Sequence, residues 1–187
     1  DKNDTFTGDD KTASAADSIS GGAGTDTLRL FDTGNNDIVI PDISGVESIY
    51  VKALSNDLDI SSDSAVTSIE LDDMDTDNTS LGAITVTVAS GQSVTLDSVD
   101  DVDGNDNDLG IASADSVTAL TVILDGVGGT NAQEVDIEGD KVSTLNLETA
   151  NNASTVDIID GDNALETVNI SGDQDLDLSG AALPSAT

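Results

Sequence analysis

Short runs in which aliphatic and polar residues alternate recur along the chain, separated by Asp, Asn, Gly and Ser. One run follows the template h-x-x-h-x-h, where h is aliphatic, as in Val46-Glu-Ser-Ile49-Tyr-Val51. Further copies begin at Val66, Leu81, Val117, Val142 and Leu165. No run keeps helical spacing over the roughly ten residues that a helix needs, and alternation with β-branched residues is typical of strands. The pattern therefore predicts an all-β chain.

A second, shorter run follows most of these copies. It has three residues, of which the first and the last are aliphatic. It occurs at 58–60, 94–96, 135–137, 156–158 and 176–178. The copy at Val66 lacks it, and residues 97–115 form the largest insertion between copies. Two short strands per repeat cannot each bury a face alone, so stacked repeats of this kind are typical of a solenoid.

We therefore predict a parallel β-solenoid (β-helix) with short irregular rungs and calcium-binding turns over residues 46–180. A segment 1–45 precedes it and a linker or tail 181–187 follows it. A β-sandwich is the alternative, because sandwiches also consist of short strands joined by polar turns.

The middle residue of each short run should point outward from the solenoid. In the last three copies it is Asp136, Asp157 or Asp177. If these carboxylates stacked directly, neighbouring charges about 5 Å apart would repel by about 0.8 kcal/mol even in water. A cation, bulk salt or a shift of register must offset that repulsion. The corresponding outward residues of the longer runs are neutral, and we expect them to form a hydrogen-bonded ladder: Thr121, Asn146 and Asn169.

The charge balance is strongly acidic, with 38 acidic against 5 basic residues and a net charge of −33. This excludes a nucleic-acid binder that works through basic patches and argues against docking on an anionic membrane. No apolar run of about 18 residues occurs, so we expect no membrane insertion. Almost all the acids are Asp, which favours loops and calcium sites. An acidic surface adapted to high salt is the alternative explanation.

Cys and His are absent from the sequence. Disulfides, thiolate metal sites, a cysteine nucleophile and a histidine base are therefore excluded. Many parallel β-helices cleave acidic polysaccharides, but such sites rely on Lys, Arg, His or Tyr, and this chain has few of them. We therefore predict no enzymatic activity.

The nine residues that begin at Gly21 fit the nonapeptide G-G-x-G-x-D-x-U-x, where U is a large aliphatic residue. Glycines permit turns in which main-chain carbonyls converge on a cation. Asp26 supplies a carboxylate, and a half-copy earlier in the chain places Asp4 at the equivalent position. We predict a calcium site formed by Gly21, Gly22, Gly24 and Asp26, with Asp4 as a further ligand.

A second candidate calcium loop contains Asp73, Asp75 and Asp77, which resemble the first half of an EF-hand. The bidentate Glu expected at the twelfth position is replaced by Ile84, so an EF-hand is excluded and a weaker calcium loop remains. Calcium is favoured over magnesium, which needs stricter geometry, and over zinc, which prefers His and Cys. The stacked outward aspartates are the remaining candidate ligands: Asp136, Asp157 and Asp177.

With these motifs the chain resembles RTX (repeats-in-toxin) calcium-binding proteins and related bacterial surface-layer proteins. The resemblance covers residues 3–51 and includes the later segment Gly45-Val-Glu-Ser-Ile49. It implies calcium-loaded solenoid domains that are exported by type I secretion and assemble on the cell exterior.

The resemblance thus predicts a secreted, extracellular structural protein that assembles with itself through calcium into a surface layer or fibre. The alternative is a calcium-stabilised module of a large RTX adhesin or biofilm-matrix protein. The expected partner is a second copy of the chain, and cell-surface polysaccharide stays open as another partner.

Overall fold

The computed structural model describes residues 2–34, 36–74, 83–100, 109–114, 116–129 and 131–178. Within these ranges the regular structure consists of sixteen β-strands. They are β1 (Thr5–Asp9), β2 (Ser18–Ser20), β3 (Thr27–Phe31), β4 (Asp42–Ser44), β5 (Ser48–Lys52), β6 (Leu58–Asp59), β7 (Ser68–Asp72), β8 (Ile84–Val88), β9 (Ser93–Asp97), β10 (Leu109–Ser113), β11 (Ala119–Asp125), β12 (Gln133–Glu138), β13 (Thr144–Thr149), β14 (Ser154–Ile159), β15 (Thr167–Gly172) and β16 (Leu176–Asp177).

Odd-numbered and even-numbered strands lie in different sheets. The eight odd strands form one sheet in the order β1-β3-β5-β7-β9-β11-β13-β15. Six even strands form a second sheet in the order β16-β14-β12-β10-β8-β6, and β2 pairs with β4. All of these neighbouring strands pair in parallel. The chain is therefore a parallel β-solenoid, as predicted; a β-sandwich would require antiparallel pairs.

Alternation within each strand builds the core between the sheets. On β3, for example, Leu28 and Leu30 point inward and are at most 1% exposed. The strand register aligns such residues in successive turns of the solenoid, which we call coils. Each buried aliphatic side chain contributes about 1.5 to 3 kcal/mol to the stability of the fold. We call one of these rows the inner column; its residues are Phe6, Leu28, Ile49, Ile69, Val94, Val122, Leu147 and Ile170.

The N-terminal segment contributes coils to the same solenoid. Strands β1 and β3 lie in the eight-stranded sheet beside β5, and β2 and β4 pair on the other side of these coils. The boundary predicted at residue 45 therefore does not coincide with a break in the sheet.

The predicted assignment of runs to sheets was wrong for the middle coils. The run at Leu81 was expected to begin a copy, but β8 lies in the six-stranded sheet, and the 94–96 run lies on β9 in the eight-stranded sheet. The copy at Val66 therefore does have a second strand, β8. The expected insertion 97–115 contains β10, which pairs with β8 and β12. Both sheets use the same inward alternation, so the template alone could not assign a run to its sheet.

The expected stacking of Asp136, Asp157 and Asp177 is also wrong, because the register shifts at each step. Strands β12 and β14 pair Asp136 with Ile159, and Asp157 lies opposite Glu134 instead. Asp177 lies opposite Thr155. A two-residue shift keeps the aliphatic face inward and separates the three aspartates from one another, but it places Asp157 opposite another acid, Glu134.

The neutral ladder is confirmed. Thr121, Asn146 and Asn169 occupy equivalent positions on three successive strands of the eight-stranded sheet. The side-chain Nδ2 of Asn169 donates to Oδ1 of Asn146 at 2.9 Å, and Nδ2 of Asn146 donates to Oγ1 of Thr121 at 3.4 Å. Hydrogen bonds between neutral side chains therefore link successive strands along this row.

Among the described residues, no helix has the length and the hydropathy needed to cross a membrane.

Candidate metal centre at Asp26

Asp26 joins three successive coils at the point where they enter the eight-stranded sheet. The residue directly precedes β3 and is completely buried. Its Oδ1 accepts a hydrogen bond from the main-chain N–H of Asp4 at 2.6 Å, and its own N–H donates to Oε2 of Glu47 at 2.8 Å. One oxygen of the Asp26 carboxylate thus satisfies a main-chain donor of the preceding coil.

The second oxygen of this carboxylate, Oδ2, is buried without a hydrogen-bond partner. A Cβ atom built on Gly21 would lie 2.6 Å from Oδ2 and 1.9 Å from the carbonyl oxygen of Gly45. Both oxygens therefore lie against the backbone of Gly21, where even a methyl group has no room. A buried acceptor without a partner costs about 1 to 3 kcal/mol, and more when it is charged. A cation bound to Oδ2 would supply its missing partner.

Glycines make this arrangement possible at two turns. Gly24 has a φ of +139°, and a Cβ there would lie 2.5 Å from the carbonyl oxygen of Lys2. Gly45 has a φ of +60°, and a Cβ there would lie 3.0 Å from the main-chain nitrogen and oxygen of Gly22. Side chains at these positions would strain the backbone and separate the turns of neighbouring coils.

The atoms present suit calcium better than a softer metal. Carboxylate and carbonyl oxygens are the ligands that calcium accepts in flexible, irregular sets. Across the described ranges, no group of three or more acidic side chains converges closely enough to hold an ion. An ion beside Asp26 would therefore use at most two carboxylates, together with main-chain carbonyls and water, which is typical of a weak site.

The structure brings together some of the predicted ligands and not others. The Asp26 side chain packs against Gly21, and Gly22 lies against Gly45. Asp4 contributes its main-chain N–H to Asp26, while Asp4 itself is exposed. No metal role was assigned from the sequence to the Gly45 carbonyl or to Glu47. The signal that could have found them is their place one repeat after Gly21 and Asp26.

The second candidate calcium loop is only partly described. The carboxylate of Asp73 forms an ion pair with Nζ of Lys52 at 2.9 Å. Lys52 also contacts Asp72 at 3.2 Å, so this lysine links two carboxylates. Asp75 and Asp77 lie outside the described residues, and the calcium loop predicted for them stays a prediction.

The three outward aspartates of the last coils have separate surroundings. Oδ1 of Asp136 accepts the N–H of Gly161 at 3.2 Å. Asp157 has one buried oxygen without a hydrogen-bond partner, and burial raises the pKa of its carboxyl. Asp177 is exposed on the last strand. These residues do not form one shared ion site.

An aromatic and charged cluster, which sequence reasoning missed, lies on the outer face of the eight-stranded sheet. The guanidinium carbon of Arg29 lies 3.8 Å from the centre of the Tyr50 ring, and the Tyr50 hydroxyl donates to Asp72. Burial and the nearby carboxylates of Asp97 and Asp72 raise the pKa of Glu70 on the same face. The sequence signal that could have identified this cluster is the equivalent position of Arg29, Tyr50 and Glu70 in successive repeats.

Comparison of the chain with protein-family models, curated proteins and solved structures finds no match. The RTX-like interpretation therefore rests on the motif and on the geometry around Asp26.

Titration of Tyr50 provides a test of the outer cluster. Burial, and then the hydrogen bond to Asp72, raise the pKa of Tyr50 to about 12. Because the pKa is higher in the folded state, this group contributes stability below about pH 10, and that contribution is lost as pH rises towards 12. Tyr50 is the only tyrosine and tryptophan is absent, so near-ultraviolet absorbance reports this one phenol. We expect a midpoint near 12 in the native protein; a midpoint near 10 would contradict the buried placement.

Proposed function

We propose that this chain is a structural protein of the cell exterior, in which calcium stabilises a β-solenoid that assembles with copies of itself. The observation that carries the proposal is the buried Oδ2 of Asp26, which has no hydrogen-bond partner and lies against Gly21 of the predicted calcium motif. A bound ion would connect the turns of successive coils and complete the N-terminal part of the solenoid.

The charge of the chain supports a role for a divalent ion in assembly. Identical copies that each have a net charge of −33 repel one another, and salt screens that repulsion only partly. Divalent ions lower the charge of each copy and permit contact. Weak sites of this type fill at the millimolar calcium concentrations found outside cells, which supports an extracellular location.

The open edges of the sheets support self-association. A parallel sheet presents unpaired main-chain donors and acceptors at its outer strands, and such edges pair readily with another chain. Among the described strands, β1 and β15 are the outer strands of the eight-stranded sheet. Ile170 on β15 belongs to the inner column and is 56% exposed.

Calcium titration tests this proposal. We expect calcium in the millimolar range to raise light scattering strongly and to produce sheets or filaments in negative-stain micrographs. Removal of calcium with a chelator should reverse the change. Magnesium at the same concentration and ionic strength is the control, and it should be much weaker because it gives up its water ligands reluctantly.

Other outcomes would favour other interpretations. A chain that binds calcium and melts at a higher temperature but stays monomeric would favour the module of a larger adhesin. A chain whose melting temperature responds to total salt and not specifically to calcium would favour adaptation of an acidic surface to high salt.

A further inference from the structure

Among the described strands, one pair of neighbouring coils is joined on only one side of the solenoid. We number the coils by their strands, so that β1 and β2 form coil 1, β3 and β4 form coil 2, and β5 and β6 form coil 3. We propose that coils 1 and 2 unfold locally as one unit, separately from coil 3 and the coils that follow it. Neither a calcium ion nor a second copy of the chain is needed for this opening.

The break between the coils lies on the side formed by the even-numbered strands. Strand β4 pairs with β2, and β6 pairs with β8, but β4 and β6 do not pair with each other. Within the described range 36–74, no main-chain hydrogen bond joins residues 40–46 to residues 56–62. On the other side of the same two coils, β3 and β5 pair over five residues. One strand ladder therefore holds coils 2 and 3 together, where two hold the other coils.

Side chains replace part of the missing pairing. Oδ1 of Asn56, in the loop between β5 and β6, accepts the N–H of Ile38 at 2.7 Å. Nδ2 of Asn56 donates to the carbonyl oxygen of Ile38 at 3.2 Å. Nearby, Oγ of Ser55 donates to the carboxylate of Asp32. One amide side chain and one hydroxyl thus stand where a strand ladder joins the other coils.

Acidic side chains of both coils come close together at the break. Asp42 lies on β4 and Asp59 on β6, and Asp63 follows in the turn after β6. Burial, and then the nearby carboxylates of Asp42 and Asp59, raise the pKa of Asp63. Like charges on neighbouring strands repel, so these carboxylates oppose the approach of β4 to β6.

The pairing of the surrounding coils determines which part of the chain opens. Each coil of a solenoid is stabilised mainly by its neighbours, so the weakest interface between coils opens most easily. Coils 1 and 2 are joined on both sides, through β1–β3 and β2–β4. Coil 3 is joined to the next coil on both sides, through β5–β7 and β6–β8. Opening at the break should therefore release coils 1 and 2 together and leave coil 3 folded.

Hydrogen exchange of the intact chain, followed by mass spectrometry in calcium-free buffer, tests for this unit. Protected amides of coils 1 and 2 should share one exchange rate and one dependence on low concentrations of urea. A step to exchange that is at least about tenfold slower should come at coil 3. Gradual fraying from one end would instead give protection that rises from coil to coil without a step, and that result would overturn the proposal.

A substitution outside the unit gives the sharper test. Ile111 on β10 is completely buried, and Ile111→Val removes one methyl group from a coil that stays folded when coils 1 and 2 open. It should speed exchange of the slowest amides in β8–β14 about 2- to 12-fold and leave exchange in coils 1 and 2 unchanged.

Asn56→Ala is the matched variant at the break. It removes a contact that exists only while coils 2 and 3 are closed on each other. Exchange in coils 1 and 2 should therefore become at least about fivefold faster. Unchanged exchange there would mean that these coils do not open at this step.

Calcium should act on the same step if it binds at Asp26, because that residue contacts coils 1 and 3 through Asp4 and Glu47. Calcium should then slow exchange in coils 1 and 2 of the wild type and have no such effect in Asp26→Asn.

The possible failures are distinguishable. If Ile111→Val speeds exchange in coils 1 and 2 by the same factor as in β8–β14, the solenoid opens as a whole and the separate unit is wrong, whatever calcium does. If coils 1 and 2 exchange as a separate unit but calcium leaves their rate unchanged, the unit stands and the calcium site at Asp26 is wrong.

Discussion

Replacement of Asp26 by Asn should abolish the specific stabilisation by calcium and leave the calcium-free protein as stable as the wild type. The amide oxygen of Asn can still accept the N–H of Asp4. Its NH₂ group takes the place of the unpartnered Oδ2, and we expect it to donate to the Gly45 carbonyl oxygen, which lies against the same glycine. The substitution therefore satisfies the buried atoms without an ion and removes the charge that an ion needs.

The size of the effect follows from ligand linkage. A site filled to 10 to 100 times its dissociation constant stabilises the folded state by about 1.4 to 2.7 kcal/mol. For a chain of this length that raises the melting temperature by roughly 3 to 10 °C. Thermal melts of the wild type with and without calcium should show this rise, and the Asn variant should show none.

An Ala variant at the same position separates the two roles of the carboxylate. Asp26→Ala removes the acceptor for the Asp4 N–H as well as the charge, so we expect it to lose the calcium effect and also about 1 to 3 kcal/mol of calcium-free stability. If Asn and Ala variants keep the full response to calcium, the ion does not bind at Asp26.

Truncation of the inner column should cost much more in the middle of the solenoid than at its C-terminal end. Ile69 and Ile170 occupy the same column, but Ile69 is completely buried and Ile170 is 56% exposed. Ile69→Ala leaves a cavity between coils and should lower the free energy of unfolding by about 2 to 5 kcal/mol. Ile170→Ala should lower it by less than about 1 kcal/mol.

The measurement is urea denaturation in calcium-free buffer at low protein concentration, where copies of the chain do not associate. The two variants lose the same atoms, so any difference reflects packing alone. Equal losses at the two positions would mean that Ile170 is covered in the isolated chain, contrary to the structure.

The sequence was sufficient to predict the class of fold. Alternating aliphatic residues in short runs, with polar turns between them, indicated a solenoid because neither strand of a repeat can bury its face alone. The neutral ladder at Asn146 and Asn169 was predictable for the same reason, since equivalent residues of successive repeats stack.

The strand register, and the sheet to which each run belongs, were harder to predict. A shift by two residues keeps every side chain on its own face, so the pattern does not distinguish Asp157 opposite Asp136 from Asp157 opposite Glu134. The two sheets also share one alternation, so nothing local to the run at Leu81 assigned it to the six-stranded sheet. Contacts between coils decide both.

The candidate site was predictable in part. The nonapeptide identified Asp26 and its glycines because the motif itself specifies the residue type at each of these positions. The Gly45 carbonyl comes from the next coil and carries no side chain that a pattern could single out. The prediction that Asp4 supplies a carboxylate followed from sequence equivalence, whereas the structure pairs its N–H with Asp26.

Equilibrium dialysis of calcium against the wild type and Asp26→Asn, at physiological ionic strength, is the most direct measurement. Salt at that concentration suppresses diffuse binding to the acidic surface, so specific sites dominate the count. The wild type should bind one more calcium ion per chain than the Asn variant in the millimolar range. Equal numbers of bound ions in the two proteins would contradict a calcium site at Asp26.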